Sequence, residues 1–373
     1  MQPVARAVCI RAMAYSFRVG VLGATGMVGQ RFVALLEKHP WFRVTAVAAS
    51  AKSAGQRYRD AVSGRWTLTT PVPEAVGELT VTSASEVAAI ADSVDFVFCA
   101  VDMTKEETRA LEDSYARRET PVVSNNSAHR PTPDVPMIVP EVNPEHVELI
   151  AAQRRRLGTK RGFIAVKPNC SIQSYVPVVH PLLDLGPSKL VVATYQAISG
   201  AGKTFASWPE MVDNVIPYIS GEEEKSEKEP LKIWGRVEAG AVTLARAPVV
   251  SAQCLRVPVT DGHMAAVSMS LERKASKDEI IARWRDFVGK PQRLGLPSAP
   301  KPFLTYFDDD ARPQTRLDRD AGNGMAVTVG RLRPDPLLDY RFVALSHNTV
   351  RGAAGGAVLT AELLVADGYI EPK

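Results

Sequence analysis

Apolar runs and amphipathic stretches alternate through the first half of the chain. FRVGVL (17–22) is a continuous apolar run that stops at a glycine, the pattern of a strand buried on both faces. From Met27 to Lys38, Val28, Phe32, Leu35 and Leu36 recur on one face at helical spacing. FRVTAVAAS (42–50) and VDFVFCAVD (94–102) read as further strands. KEETRALEDSYARRE (105–119) reads as a helix with acids early and bases late, as the macrodipole favours. PVVSNNSAH (121–129) is a strand and turn. This alternation predicts an α/β fold that opens with a Rossmann-like, doubly wound parallel sheet.

The pattern changes near residue 165. KLVVATYQAISGAG (189–202), AVTLARAPV (241–249), CLRVPVTDGHMAAVSMSLE (254–272) and GMAVTVGRLRPD (324–335) are longer strands. Hairpin-like connections and few helices are expected, hence an α+β second domain with a largely antiparallel sheet. GGAVLTAELLVADGYI (355–370) is a closing helix, and KPQRLGLPSAPKP (290–302) a proline-rich surface loop. The expected organisation is a disordered extension over 1–16, a dinucleotide-binding domain over 17–165 completed by 347–373, and a second domain over 166–346. Met13 is an alternative start, because the first convincing strand begins just after it.

Length and composition narrow the function. The 373 residues allow two domains, and 45% hydrophobic with 23% charged residues is a globular composition. A net charge of +4 suits an anionic substrate or cofactor and gives no argument for nucleic acid or a membrane. No apolar run approaches the ~20 residues of a membrane span. Cys9, Cys99, Cys170 and Cys254 show no C-x-x-C spacing, which argues against a disulfide framework or a cysteine metal site. A reducing cytoplasm is the simplest compartment.

GATGMVG sets Gly23, Gly26 and Gly29 between the first strand and the first helix. Glycines there let the backbone approach a pyrophosphate at the helix N-terminus. Gly23, Thr25, Gly26, Met27 and Val28 are the expected contacts. An NAD site would end its second strand in an acid. Here VAAS runs on into AKSAGQR, so Ser50, Lys52 and Ser53 are placed to hold a 2′-phosphate, and the reading is NADP(H).

Cys170 stands in AVKPNCSIQSYVPVVHPLLDL, where a loop turns into a helical-looking run. A buried small hydrophobe is one reading. The other is a nucleophile: Asn169 caps the helix, and its first N–H groups favour a thiolate. With a hydride acceptor, such a thiol implies aldehyde chemistry through a thioester. Of the histidines, His263 in VTDGH lies at a strand end and is the general acid/base candidate, whereas His39 and His146 read as surface residues. Cys99 and Cys254 read as core.

Taken together, GATGMVGQRF, ASAKSAG, SNNSAHR, VPEVNPEH, PNCS, QAISGAG, GEEEK, RVPVTDGH, RPQTRLDRDAGNGM and HNTVRGAAGGAVL occur in an order that resembles the aspartate-β-semialdehyde dehydrogenase family, in its archaeal and fungal branch. The resemblance runs from about Phe17 to the C-terminus. It implies Cys170 as nucleophile, His263 as acid/base and Gln196 as the residue orienting the substrate at the thiol. It implies Arg256 on the substrate α-carboxylate, Glu222 on its α-ammonium (with Glu223 as the neighbouring register), and Arg130 and Lys225 on phosphate, Asn125 nearby. Ser199, Gly200 and Asn348 match positions on the nicotinamide side. Lys52 stands where the family has arginine, which keeps the charge and loses the fork. The implied reaction is NADPH-dependent reductive dephosphorylation of L-4-aspartyl phosphate to L-aspartate-4-semialdehyde, in lysine, threonine and methionine biosynthesis, by a homodimer or homotetramer. An N-acetylglutamyl-phosphate or malonyl-CoA reductase on the same fold, which needs no acid for an ammonium, and a scaffold without catalysis are the rivals.

Overall fold

The computed structural model describes residues 16–373. The expectations for the extension, with Cys9 and Met13, fall outside the described residues apart from Ser16. Six parallel strands form the first sheet: β1 (Phe17–Leu22), β2 (Phe42–Ala49), β3 (Val81–Ser83), β4 (Phe96–Cys99), β5 (Val122–Ser124) and β6 (Ile164–Val166), in the order β3-β2-β1-β4-β5-β6. Strand order reverses between β1 and β4, and ligands of such sheets bind outside the strand carboxyl ends at that point.

The turn from β1 into α1 (Met27–Leu36) is built for close approach. Gly23 has φ +81°, and a Cβ there would lie 2.2 Å from the Ala100 carbonyl oxygen. A Cβ on Gly29 would lie 2.1 Å from the Gly23 oxygen, so helix and strand pack only with glycine at both positions. Helix α1 ends at Leu36, two residues short of the expected Lys38. The chain there turns into His39-Pro40, and the residue before a proline disfavours helix.

Helix α2 (Lys105–Arg117) starts with a capping box in which the Thr104 side chain accepts from Glu107 N–H and the Glu107 carboxylate accepts from Thr104 N–H. Helix α3 (Glu222–Ile233) turns Glu222, Ser226 and Glu229 inward at helical spacing, so the acidic stretch is only partly a solvated face. Helix α4 (Gly355–Ala366) is buried on every side. Ala357, Val358 and Leu363 share a core with Phe32 of α1 and Phe98 of β4.

In the second half, β7 (Pro187–Gln196) precedes a small ribbon of β8 (Arg236–Glu238) and β9 (Ala241–Thr243). There follow β10 (Val249–Arg256), β11 (His263–Leu271), β12 (Leu304–Phe307), β13 (Val327–Pro334) and β14 (Tyr340–Ser346). The second large sheet runs β10-β7-β11-β14-β13-β12. Its central pairs are antiparallel, as expected, but β10 lies parallel to β7 and β12 parallel to β13. Parallel neighbours require long crossovers, so hairpin-like connections hold only for β13–β14 within this sheet. Helix α3 lies in the β7-to-β10 crossover.

The 290–302 segment is not simply a surface loop. Lys290–Leu294 is helical, and Pro291, Gln292 and Leu296 are buried. Nor are His39 and His146 surface residues. The His39 ring accepts from Trp41 and Phe42 N–H at Nδ1 (3.2 and 3.1 Å) and sets Nε2 2.9 Å from Glu362. His146 is fully buried between Asn143 and the Gly235 carbonyl. Satisfied ring nitrogens make burial of an imidazole cheap. No helix among the described residues is long and apolar enough to cross a membrane.

Candidate active site

Strand β6 delivers Lys167, Asn169 and Cys170 to a cleft of about 230 Å³. Its walls come from both sheets. Val28 of α1, Asn125 and Arg130 after β5, Ser199 and Gly200 after β7, Glu222 and Lys225 of α3, and Asn348 after β14 all line it with Cys170. Cys170 is largely buried, with part of its surface open to the cleft. Gly352 closes one side, since a Cβ there would sit 2.8 Å from Cys170 Cβ.

The expected helix behind Cys170 is instead a 3-10 turn, Ser171–Ser174, followed by the short helix Val176–Val179. The N-cap of the 3-10 turn is Cys170 itself, and Asn169 stands one residue earlier, where Oδ1 accepts from Ser171 N–H at 2.8 Å and Ser171 Oγ–H at 2.7 Å. One short turn gives little dipole. Burial and the Glu222 carboxylate push the Cys170 thiol above its ordinary value, against the pull of Lys167, Arg130 and Arg256. Thiolate stabilisation therefore rests on cations more than on a helix terminus.

Glu222 is the acid the fold places in the cleft. It accepts from both Asn169 Nδ2 (3.0 Å) and Lys225 Nζ (2.7 Å), with Gln196 Nε2 at 3.3 Å. Burial raises its carboxyl, but Lys225 and these donors outweigh burial and hold it below the usual range. Glu223 points elsewhere and accepts from Cys254 N–H at 3.2 Å. Cys99 and Cys254 are fully buried in strands, as expected.

Arg256 and His263 stand behind Gly200, where a Cβ would lie 3.0 Å from both Arg256 Nη1 and His263 Nε2. Arg256 Nη1 donates to the Ala197 carbonyl at 2.7 Å. His263 is completely buried and accepts from Ala197 N–H at Nδ1 (3.0 Å). That bond fixes the proton on Nε2, which has no protein partner. Burial and Arg256 bring this imidazole down to about 3, so it is neutral at physiological pH.

Arg130 donates from Nε to the Lys167 carbonyl (2.9 Å), from Nη1 to Glu229 (3.0 Å) and from Nη2 to the Asn125 carbonyl (3.3 Å). Asn348 bonds Ser199 Oγ at 2.8 Å and accepts from Gly262 N–H at 2.8 Å, tying the β14 end to the β7 and β11 ends. Gly23, Thr25, Gly26 and Met27 form the β1–α1 turn beside Val28. The turn is pinned to β2, with Gly23 and Ala24 N–H both donating to Ala48 O (2.8 and 2.9 Å). Ser50, Lys52 and Ser53 follow on the next turn and do not line the thiol cleft. The glycine cradle, with no Cβ to fill it, and the basic residue after β2 fit a dinucleotide carrying a 2′-phosphate.

Two charged groups escaped the sequence reading. Glu229 bridges Arg130 and Asn169 N–H (2.6 Å) from 60 residues away. Lys167 is buried in the cleft, and burial with Arg130 brings its ammonium down to about 7. Its signal was legible: a lone base at the end of an apolar strand in FIAVKPNC.

Three imidazoles, His263, His180 and His347, titrate at about 3, 4 and 4, each lowered chiefly by burial. Each binds its proton more weakly folded than unfolded, where ~6.5 applies. The unfolded chain therefore takes up more protons as pH falls below ~6.5, and stability is lost. Glu112, raised to about 7 by burial, works the other way between its ordinary value and 7. The balance predicts a loss on the order of 3 kcal/mol between pH 6.5 and 5. Urea midpoints across that range check it; a midpoint that rose on acidification would contradict it.

A doubly wound sheet with a glycine turn at its switch point, beside a cleft that holds a thiol and paired cations with an imidazole behind it, defines a nucleotide-linked oxidoreductase. Family models described as the NAD binding domain and the dimerisation domain of semialdehyde dehydrogenase match residues 18–150 and 179–351. Aspartate-semialdehyde dehydrogenases from Methanothermobacter thermautotrophicus and Aspergillus fumigatus are 45% and 43% identical, covering 93% and 95% of this chain and 98% of each relative. The crystal structure of the Candida albicans enzyme with NADP superposes with TM-score 0.84 at 39% identity, over 95% of this chain and 100% of that one. The Vibrio cholerae enzyme II complexed with ASA gives 0.73 at 26% identity, over 95% and 100%. The chain belongs to the aspartate-semialdehyde dehydrogenase family.

Proposed function

We propose that this chain is an NADP-dependent aspartate-semialdehyde dehydrogenase that reduces L-4-aspartyl phosphate to L-aspartate-4-semialdehyde, the shared step toward lysine, threonine and methionine. The observation that carries this reading is the grouping of Cys170, Glu222, Lys225 and Arg130 around one small cleft. Cys170 Sγ attacks the acyl carbon, the S–C bond forms, and the C–O bond to phosphate breaks. Arg130 and Lys225 take the departing dianion. Arg256 holds the α-carboxylate, for which a planar fork is suited. Glu222, already gathering donors from Asn169 and Lys225, receives the α-ammonium. Gln196, bonded to Glu222, orients the acyl group. NADPH, held by the glycine turn, Ser50, Lys52, Ser53, Ser199, Gly200 and Asn348, supplies hydride to the thioester carbon. His263, fixed as the Nε2–H tautomer, donates a hydrogen bond to the oxyanion that the added hydride leaves, and the C–S bond breaks as the carbonyl re-forms, returning the Cys170 thiolate.

Residues 17–165 with 347–373 make the cofactor domain, and 166–346 the catalytic and dimerisation domain; α4 packing against Phe98 supports the return of the C-terminus to the first sheet. Val191 and Tyr195 of β7 and Val249 of β10 expose apolar side chains at 53%, 38% and 67%. A homodimer is the smallest assembly that covers them. The unpaired Cys99 and Cys254 fit a reducing cytoplasm.

The test is NADPH formation from L-aspartate-4-semialdehyde with and without inorganic phosphate. Strict dependence on phosphate is expected. Reaction with coenzyme A in place of phosphate would transfer the chain to the acyl-CoA reductases.

A further inference from the structure

A second chamber of about 850 Å³ adjoins the catalytic cleft. The two share Ser127, Arg130 and Lys225, so they meet at the two phosphate-binding cations, with the small cleft on the thiol side and the larger chamber on the other. Val28 and Asn348, on the dinucleotide side, line only the small cleft. The larger chamber therefore reaches Arg130 and Lys225 from elsewhere.

Its charge is unbalanced. Lys105, Arg109 and Lys228 line it along with Arg130 and Lys225. Lys105 and Arg109 are four apart on α2, and Lys225 and Lys228 three apart on α3, so each pair shares a helix face. Like charges at these spacings weaken a helix, and a lysine opening α2 opposes its dipole. Lys225 is repaid by its pair with Glu222 at 2.7 Å, but among the described residues neither the Lys105 nor the Lys228 side chain makes a hydrogen bond or an ion pair. Arg109 donates to the Ala128 carbonyl at 2.9 Å and lies 3.6 Å from an exposed Glu106. The acids on the chamber wall are Glu224, exposed at the rim, and Glu229, already bonded to Arg130 and Asn169 N–H. Lys232 also lines it, but its ammonium is spent on the carbonyls of Arg130, Thr132 and Val135.

We infer that this chamber is a second, weaker phosphate site, in which Lys105, Arg109 and Lys228 gather acyl phosphate or inorganic phosphate and pass the dianion to Arg130 and Lys225. The inference rests on the proposed phosphate-dependent reaction. A dianion is attracted twice as strongly per cation as a monoanion, and the attraction fades as salt shortens its range to below ~10 Å. Local concentration of a charged substrate in such a cleft raises its rate of capture.

The test uses the double variant Lys105→Gln/Lys228→Gln in the oxidative direction. Its kcat/KM for phosphate is expected to fall about threefold to tenfold at low ionic strength and to converge on wild type near ~0.5 M salt, with the KM for NADP unchanged. Equal salt dependence in variant and wild type would overturn the inference. A second measurement separates its failure from that of the reaction. Broadening of the ³¹P resonance of inorganic phosphate by Cys170→Ala protein needs no turnover. It should weaken when Lys105 and Lys228 are also replaced; undiminished broadening would again remove the chamber as a site.

Discussion

Cys170→Ser is expected to lower turnover by at least about 10⁴-fold while leaving the fold and NADP binding intact. The substitution changes one atom at a largely buried position, so packing against Gly352 and the Asn169–Ser171 hydrogen bond should persist. What is lost is the nucleophile. A serine hydroxyl must be deprotonated as it attacks, and His263 offers no base for the task. His263 presents Nε2–H toward Gly200 because Nδ1 is occupied by Ala197 N–H. The family of serine hydrolases solves the same problem with a carboxylate that holds the opposite tautomer; no carboxylate contacts His263. A thiol needs less help, because it is far more acidic than a hydroxyl even with burial and Glu222 raising it, and Lys167, Arg130 and Arg256 offset part of that rise. Steady-state rates with semialdehyde and phosphate, beside NADP binding followed by fluorescence, check the expectation. A serine variant within tenfold of wild type would remove Cys170 as the attacking group.

How much of this was readable beforehand differs between the two halves. The first sheet announced itself, since strands buried on both faces leave unbroken apolar runs such as FRVGVL and the turn after them must be glycine. Helix α2 followed from its charge placement, though its Thr104 cap was seen only in the structure. The second sheet was harder because partners of β7 come from residues 249–256 and 263–271, on opposite sides of it. Strand patterning shows that a segment pairs, not which segment it pairs with or in which direction. The site shows the same division. Cys170, His263 and the glycine turn carry local signatures. Choosing Glu222 over Glu223 depends on the rotation of α3 against Asn169, which adjacent glutamates cannot reveal. Glu229 became a functional candidate only when folding brought Arg130 beside it. His39 and His146 were misread because a histidine in a polar turn looks exposed until its backbone partners are in place.

Long-range placement matters most at Arg351, where the second large effect is expected. Its guanidinium is fully buried, donating to Glu141 from Nη1 at 2.8 Å and Nη2 at 2.6 Å, and to Gln173 from Nε at 3.2 Å. It also lies 4.7 Å over the Phe303 ring. Arg351→Met should cost roughly 3–5 kcal/mol, since it strands the Glu141 carboxylate in a dry interior. Adding Glu141→Gln should recover much of the loss, because a buried ion pair is worth far less than the penalty of breaking it. Urea unfolding of the two single variants and the double variant measures the coupling. Gly352, the next residue, walls the thiol, so the single variant should also lose kcat more than it raises the KM for NADP. Were both variants equally unstable, the cost would lie in lost packing against Phe303 and Gln173, and the charge pair would contribute nothing of its own. Recovery in stability together with a persistent fall in kcat would instead separate two functions of one residue: neutralising Glu141, and holding the backbone against Cys170.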